Sequence, residues 1–381
     1  MMFLTRGASA AAAALIAAGA LSACGGGDSK SSATTSTASS GADAASPAVA
    51  AAKADFAKFH ATQPPISVPT LPKKPPAGLR LTITTCPLPV CRAESDPVAE
   101  AAKILGWKVK TIQAPYTPEG YQTAWNQLLE DPPDLIAASA VVPDSFIAKQ
   151  LAVVAKRNIP LVELGPSGDR PTSEGPLKAA VAGVPQFAQD GRLMGSTVVA
   201  DAGRGPDTVW ITDPSVTVFK PAEAAFAKTV GDAGGHADVM KVALANIGKS
   251  IPGQVVSYVQ SHPKVKYLAF SVADFTVGVP QALKVAGLSD KVKIISRAPQ
   301  AANLADIKNG STWAAVAEEN TSGGYRAVDQ MARLAMGVEL GDLRDPAGWA
   351  QILTKDNVTQ TTVAPSAPGS PAAFLSAWHV D

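Results

Sequence analysis

Residues 134–164 read DLIAASAVVPDSFIAKQLAVVAKRNIPLVEL, which predicts one strand, one helix and a second strand. The runs 134–138 and 159–164 are short and mostly apolar, as expected of strands covered on both faces of a sheet. Between them, residues 144–157 carry apolar side chains at helical spacing. Two strands joined through a helix favour parallel pairing in an α/β fold.

The same alternation extends in both directions from this unit. Towards the N-terminus it predicts strands at 79–84 and 107–112 and helices at 97–105 and 119–129, with Asp96 as an N-cap and Pro97 at the first helical position. The remaining strands are predicted at 179–184, 208–211, 238–244, 266–270, 291–295 and 312–317, and the remaining helices at 191–202, 221–233, 251–262, 277–286, 301–308 and 323–337. About 300 residues follow Gly78, which is more than a single hydrophobic core usually includes. The sequence therefore predicts two doubly wound parallel-sheet lobes.

The composition excludes several classes of function. The formal net charge is +1, and no basic stripe with interleaved aromatic residues is present, so a nucleic-acid partner is not expected. The sequence has no Gly-x-Ser-x-Gly elbow and no glycine-rich phosphate loop after the first strand. We therefore expect no catalytic residues, no metal and no other cofactor. The histidines show no metal-ligand spacing; they are His60, His236, His262 and His379.

The first residues are typical of an export signal. Arg6 precedes a short, alanine-rich apolar segment, too short to span a bilayer as a helix. The run Leu21-Ser22-Ala23-Cys24 resembles the lipobox of bacterial lipoproteins. That resemblance implies that residues 1–23 are removed, that Cys24 is acylated, and that the protein works outside the cytoplasm on a membrane. An ordinary signal peptide cut after Ala23 is the alternative.

A tether is predicted between Cys24 and the folded body. Residues 28–52 are mostly Ser, Thr, Ala, Gly and Asp, a composition typical of a flexible spacer. Residues 53–61 could form a short helix, and the prolines that follow favour an extended chain. We expect the tether to occupy 24–77 and the folded body to begin near Gly78.

The order of elements and several short strings resemble the type I periplasmic binding proteins, such as ribose- and galactose-type receptors. Leu88-Pro89-Val90-Cys91 lies where that family has a substrate-facing Asn-Pro-aromatic-aromatic loop. Ile159-Pro160-Leu161-Val162 is similar to its Ile-Pro-Val-Val strand, and residues 305–310 are similar to its Ile-x-x-Gly helix end. The resemblance covers the chain from residue 78 to about residue 360.

This resemblance implies two lobes, joined by three crossovers near 181–186, 317–320 and 350–354, that close on a small molecule and deliver it to an ABC permease. A monomer is expected. The implied first lobe comprises 78–182 with 319–351, the second comprises 183–318 with 352–366, and 367–381 would be a C-terminal tail.

The positions where the family contacts sugars carry other residue types here. Val90 and Cys91 replace the aromatic pair, and Lys220 replaces a ligand-binding arginine. Asn246 stands where an aromatic residue is usual. The resemblance therefore implies a ligand other than a simple pentose or hexose. The candidate ligand-binding residues are Pro89, Val90, Gln186, Phe187, Lys220, Asn246, Asp274, Arg297 and Glu318.

The charged candidates leave the ligand's charge open. Lys220 suits a carboxylate or another oxyanion, which makes an apolar or aromatic acid one candidate ligand, but it could also be a solvated lysine at a helix start. Glu318 and Asp274 could pair with a cation on the ligand, or with Lys220 and Arg297 across the cleft.

Two cysteines flank the sequence Pro87-Leu88-Pro89-Val90. In an oxidising compartment Cys86 and Cys91 should form a disulfide, although two free thiols are the alternative. The bridge would stiffen a loop that lines the cleft.

Three functions follow from the sequence. The first is a lipid-anchored receptor of an ABC importer. The second is a receptor that presents its ligand to a membrane sensor kinase, and the third is an enzyme on this scaffold.

Overall fold

A computed structural model describes residues 46–115, 117–140, 142–165, 171–363 and 365–380. No helix among these residues is long and apolar enough to cross a membrane. The described strands are β1 (Arg80–Thr85), β2 (Lys108–Gln113), β3 (Leu135–Ser139), β4 (Leu161–Leu164), β5 (Leu177–Val181), β6 (Asp207–Thr212), β7 (His236–Lys241), β8 (Tyr267–Phe270), β9 (Lys293–Arg297), β10 (Ala314–Glu318) and β11 (Ala350–Thr354). The described helices are α1 (Pro47–His60), α2 (Pro89–Ile104), α3 (Pro118–Glu130), α4 (Ala148–Lys156), α5 (Val184–Ala202), α6 (Lys220–Asp232), α7 (Ile251–Ser261), α8 (Val279–Val285), α9 (Ala301–Asn309), α10 (Asn320–Ala335) and α11 (Ala372–Ala377).

The first sheet has the strand order β2-β1-β3-β4-β5, and all its neighbouring strands are parallel. Successive residues of β3 point to opposite faces. Ile136 and Ala138 pack in the core formed with α3 and α4, whereas Ala137 packs in the core formed with α2 and α10. Both faces are therefore covered, which explains why β3 has no polar residue before Ser139.

The second sheet has the order β11-β10-β9-β8-β6-β7. Its described neighbours are parallel except for β10 and β11, which are antiparallel. The predicted pair of doubly wound α/β sheets is confirmed, with this edge strand as the one difference. An antiparallel edge on a mostly parallel sheet is common, because the chain reaches it from the opposite end.

The chain passes between the two sheets three times among these elements. It leaves β5 of the first sheet for α5, which packs against α6, β9 and β10. It returns from β10 to α10, which packs against α2, β4 and β5, and then passes to β11. Each sheet with its helices is called a lobe below.

Two helices, α2 and α5, begin about two turns earlier than the sequence predicts. The first starts at Pro89, so Pro97 lies inside α2 and Asp96 is not its N-cap. Both Pro89 and Pro97 carry the signal of a first helical position, since neither has an N–H to satisfy there. Gly324 of α10 lies against Pro97, and a Cβ at Gly324 would meet the Pro97 Cβ at 2.5 Å, so the two helices approach closely here. Similarly, α5 begins at Val184 rather than at residue 191.

The prediction of a flexible spacer is wrong for residues 47–52, which are helical, whereas the short helix that the sequence allows at 53–61 is present as part of α1. Residues 47–60 form α1, whose Val49 and Ala52 are buried against Val199 and Ala233 of the second lobe. Leu71, further along, is 1% exposed in the core of the first lobe. Alanine-rich sequence suits a helix as well as a spacer, and tertiary packing decides between them. Cys24 and residues 1–23 lie outside the described residues.

The predicted C-terminal tail also belongs to the folded body. Phe374 of α11 and Trp378 are buried, and both rings contact the ring of Tyr325 in α10. The Trp378 Nε1 donates a 2.9 Å hydrogen bond to Asp329 Oδ1. Residues 372–378 therefore complete the core of the first lobe.

Candidate ligand-binding site

The carboxyl ends of strands from both sheets face one another across a cleft. In doubly wound sheets this edge is where ligands bind, because the loops after the strands converge there. Two small cavities remain in the cleft, of about 40 and about 10 Å³. The first is lined by Leu88, Val90, Cys91, Glu94, Ser139, Ala140, Leu164, Gly165, Phe187, Val216, Val218, Phe219, Val272 and Arg297.

The cleft is closed and largely apolar at this contact. Small-molecule sites usually measure about 300–1,000 Å³, far more than either cavity offers. The side chains of Val90, Phe187, Val218 and Phe219 occupy the space between the lobes and are each at most 8% exposed. A solute could enter only if the lobes separate.

A buried ion network lies at one end of the cleft, on the second lobe. Arg297, the last residue of β9, pairs through Nη1 with Glu318 at the end of β10 and, at 3.5 Å, with Asp190 of α5. Asp190 also accepts a 2.7 Å hydrogen bond from Gln186, one helical turn earlier. The guanidinium carbon of Arg297 stacks 3.8 Å from the ring centre of Phe187.

Burial and mutual charge shift the pKa values of this network. Burial raises the pKa of Asp190 well above its ordinary value, and the negative charge of Glu318 raises it further. Burial alone would lower the pKa of Arg297, but Glu318 and Asp190 outweigh it, so that pKa is raised. The guanidinium therefore stays charged, and a proton is favoured on Asp190.

Two further carboxyl groups face this network. Glu94 of α2 is half-buried as a residue, yet it lines both cavities, and burial followed by the charge of Glu318 raises its pKa to about 8. Asp274, in a 3₁₀ turn after β8, is 7% exposed, and burial raises its pKa to about 6. Asp274 accepts the backbone N–H of Val90, in the first turn of α2, which joins the two lobes.

Several buried acceptor atoms of the cleft receive no hydrogen bond from the described residues. They are Asp274 Oδ2, Glu318 Oε1, Gln186 Oε1 and Asn320 Oδ1. Each belongs to a residue at most 7% exposed. Leaving a buried polar atom unpaired costs about 1–3 kcal/mol, so such a set indicates a place where another molecule supplies donors.

The sequence-predicted candidates fall into two groups. Val90, Phe187 and Arg297 line the larger cavity, and Glu318 lines the smaller one. Gln186 and Asp274 join the same polar network through Asp190 and Val90. The structure does not bring the others into the cavities: Pro89 and Lys220 are exposed, and Asn246 is half-buried in a 3₁₀ turn after β7. A binding role for each candidate stays a prediction.

Sequence reasoning missed Glu94, Asp190 and Asn320. Asp190 follows Gln186 by four residues, a spacing that puts both side chains on one helix face once α5 begins at residue 184. Glu94 has no such local signal, because its neighbours Glu318 and Arg297 are more than 200 positions away.

The predicted disulfide is confirmed. Cys86 and Cys91 are bonded, with 5.5 Å between their Cα atoms. The bridge closes the loop between β1 and α2 and holds the first turn of α2, which carries Val90, at the cleft.

A wider groove of about 780 Å³ lies on the second lobe, between α1 and the strand β9. Its Lys293 is paired with Asp201 and stacks on Trp313, and its His60 is hydrogen-bonded to Thr354. We assign the functional site to the cleft instead, because there the strand ends of both lobes and the unpaired acceptors meet.

Comparison with known proteins shows the fold. No family model and no curated protein matches the sequence. An ABC transporter solute-binding protein from Agrobacterium vitis with bound α-D-tagatopyranose superimposes with a TM-score of 0.65 at 16% identity, covering 75% of this chain and 100% of that one. A glucose-galactose binding protein from Geobacillus stearothermophilus gives 0.64 at 17% identity, over 74% and 100%. An ABC transporter solute-binding protein from Mycobacterium smegmatis with bound glycerol gives 0.62 at 18% identity, over 76% and 100%.

The chain therefore has the type I periplasmic-binding-protein fold, as its sequence predicts. The similar structures are ABC transporter solute-binding proteins rather than enzymes.

Proposed function

We propose that this protein is an extracytoplasmic receptor that closes its two lobes on a small molecule and delivers it to an ABC importer. The observation that carries the proposal is the cleft, where unpaired buried acceptors meet between two lobes joined by three chain passages. Lobes joined in this way can move as rigid bodies, and a closed shape can be recognised by a permease.

We further propose that the ligand is not a simple sugar. The walls of the cleft offer Val90, Phe187 and Phe219, and the polar atoms concentrate at the ion network. A free sugar needs polar partners around its whole ring, whereas the side chains of Val90, Phe187 and Phe219 offer none.

The proposal includes a lipid anchor on Cys24. The lipobox-like run and the signal-like leader support it, since two or more acyl chains on one residue hold a protein durably on a membrane. Cys24→Ala should release the protein into the soluble fraction, and mass spectrometry of the wild-type protein should show an acylated N-terminus. A wild-type chain without acyl groups would contradict the anchor.

The receptor function is tested on protein purified from its host. Native mass spectrometry identifies the co-purified solute, and small-angle X-ray scattering should show a smaller radius of gyration after that solute is returned to stripped protein. Deletion of the gene should abolish uptake of the solute. Unaffected uptake with lost gene induction would favour presentation to a sensor kinase, and an unchanged radius of gyration with every solute would contradict a receptor that closes.

A further inference from the structure

We infer that the solute is a compact organic cation, held by the carboxyl groups of Glu94, Asp274 and Glu318. The inference rests on the proposed receptor function and names the class of its ligand.

The first argument is the balance of charge. Four carboxyl groups influence one another in the cleft, on Glu94, Asp190, Asp274 and Glu318, and the one guanidinium among them is Arg297. Arg297 already pairs with Glu318 and Asp190. An anionic solute would therefore find no unpaired cation among these groups, whereas a cation could bind to the carboxyl groups by displacing the proton that burial keeps on Glu94.

The second argument is the chemistry of the unpaired atoms. Asp274 Oδ2 and Glu318 Oε1 accept nothing from the described residues, and both side chains are more than nine-tenths buried. An ammonium group carries donors only, and a carboxylate carries acceptors only. A protonated amine would therefore satisfy both oxygens, and a carboxylate would leave both unpaired.

The third argument separates an organic cation from a metal ion. Among the described residues, no group of three or more His, Cys, Asp or Glu side chains is arranged to hold a metal ion. The remaining walls are apolar and include the rings of Phe187 and Phe219. Aromatic faces attract organic cations, and apolar walls suit a carbon body.

A purely structural role for the network would need only the second lobe. Asp190, Arg297 and Glu318 all belong to that lobe and pair within it. Glu94, however, comes from α2 of the first lobe and meets Glu318 only when the lobes close. In the ligand-free closed form a proton on Glu94 offsets the repulsion from Glu318, and a cation between the two groups would take the place of that proton.

The test uses three probes with the same apolar body, cyclohexylamine, cyclohexanol and cyclohexanecarboxylate, and the full-length mature protein. Calorimetry at neutral pH and fixed ionic strength should show the amine binding at least about tenfold more tightly than the alcohol, equivalent to about 1.4 kcal/mol. The carboxylate should bind least. Scattering in parallel reports whether each probe closes the lobes.

The matched variants are Glu94→Gln and Glu130→Gln, the second an exposed position on α3. Glu94→Gln should weaken the amine about tenfold and leave the alcohol unchanged. Affinity for the amine should fall as the pH is lowered, because protonated carboxyl groups lose their charge, and Glu94→Gln should flatten that dependence. Glu130→Gln should match wild type throughout.

An amine that binds no better than the alcohol, or that binds undetectably, overturns the inference. So does an amine affinity that is independent of Glu94. If the alcohol or the carboxylate closes the lobes while the amine does not, the receptor function stands and only the cation is wrong. If no solute of any charge closes the lobes, the receptor function itself fails.

Discussion

At the scale of single residues, Arg297 holds a full charge at a site that is 2% exposed. The charge is tolerated because Glu318 and Asp190 both face it, and the ring of Phe187 covers the guanidinium. The penalty of removing charges from water is offset only while every partner is present.

Arg297→Met should therefore lower the free energy of unfolding by about 3–5 kcal/mol, because it leaves two buried carboxyl groups without a cation. Urea denaturation measures the change. Arg92→Met is the control, since Arg92 and its partner Asp96 are each more than 60% exposed at their side chains, and it should change stability by less than about 0.5 kcal/mol. Equal effects of the two substitutions would show that the network does not stabilise the fold.

The raised pKa of Glu94 predicts a pH-dependent cleft. The closed form holds the Glu94 proton up to a pH of about 8, and an open, solvated Glu94 would lose it near its ordinary value. Closure is then favoured at low pH and lost as the pH rises through about 8, with Asp274 adding a smaller change near 6. The radius of gyration of the ligand-free protein should increase as the pH rises from 4.5, the ordinary pKa of a glutamate, to about 8. Glu94→Gln should reduce this increase. A radius that falls with rising pH has the wrong sign for this mechanism.

At the scale of elements, the strands could be predicted because each is a short apolar run covered on both faces. The starts of α2 and α5 could not, because Pro97 offers a local start signal as good as that of Pro89. The residues of the candidate site also fall into a predictable and an unpredictable group. Arg297 and Glu318 could be predicted because each is the last residue of a strand. The contact of Glu94 with this network depends on closure of the lobes, and no local sequence pattern indicates it.

The packing of α1 on the second lobe can be tested at Val49. Val49→Asp should lower the free energy of unfolding by about 1–3 kcal/mol, because it places a carboxylate against Val199 and Ala233. Hydrogen exchange should then lose protection in 47–60 and keep it in the sheets. Ala50→Asp, at an exposed position of the same helix, is the control and should retain protection. Loss of protection in both variants would mean that this contact does not hold α1.

The Cys86–Cys91 bridge should be present in the exported protein. The intact mass should be lower than that of the reduced protein by two hydrogen atoms. Reduction should lower the free energy of unfolding by about 2 kcal/mol, because a loop of this length restricts the unfolded chain. An unchanged mass after reduction would exclude the bridge.

At the scale of the whole molecule, the chain connects the two lobes at further places besides the three passages through α5, α10 and β11. α1 packs on the second lobe, whereas Leu71 lies in the core of the first, so residues 61–70 connect the two. Likewise, β11 belongs to the second sheet and α11 packs on the first lobe. These added connections restrict how far the lobes can separate.

A protease site inserted after the exposed Ala61 tests this restriction. Cleavage should increase the radius of gyration of the ligand-free protein, because one connection between the lobes is lost. The same site inserted at the exposed Lys264, in a loop of the second lobe, should leave the radius unchanged after cleavage. An unchanged radius of gyration after cleavage at Ala61 would show that residues 61–70 do not limit the separation of the lobes.

The burial of Trp378 against Tyr325 has a consequence for the order in which the protein matures. One hydrophobic core of the first lobe contains residues as far apart as Leu71 and Trp378. The ribosome must therefore synthesise the chain through Trp378 before the core of that lobe can assemble completely. A nascent chain that stops before Trp378 would leave this core incomplete, and so open to degradation.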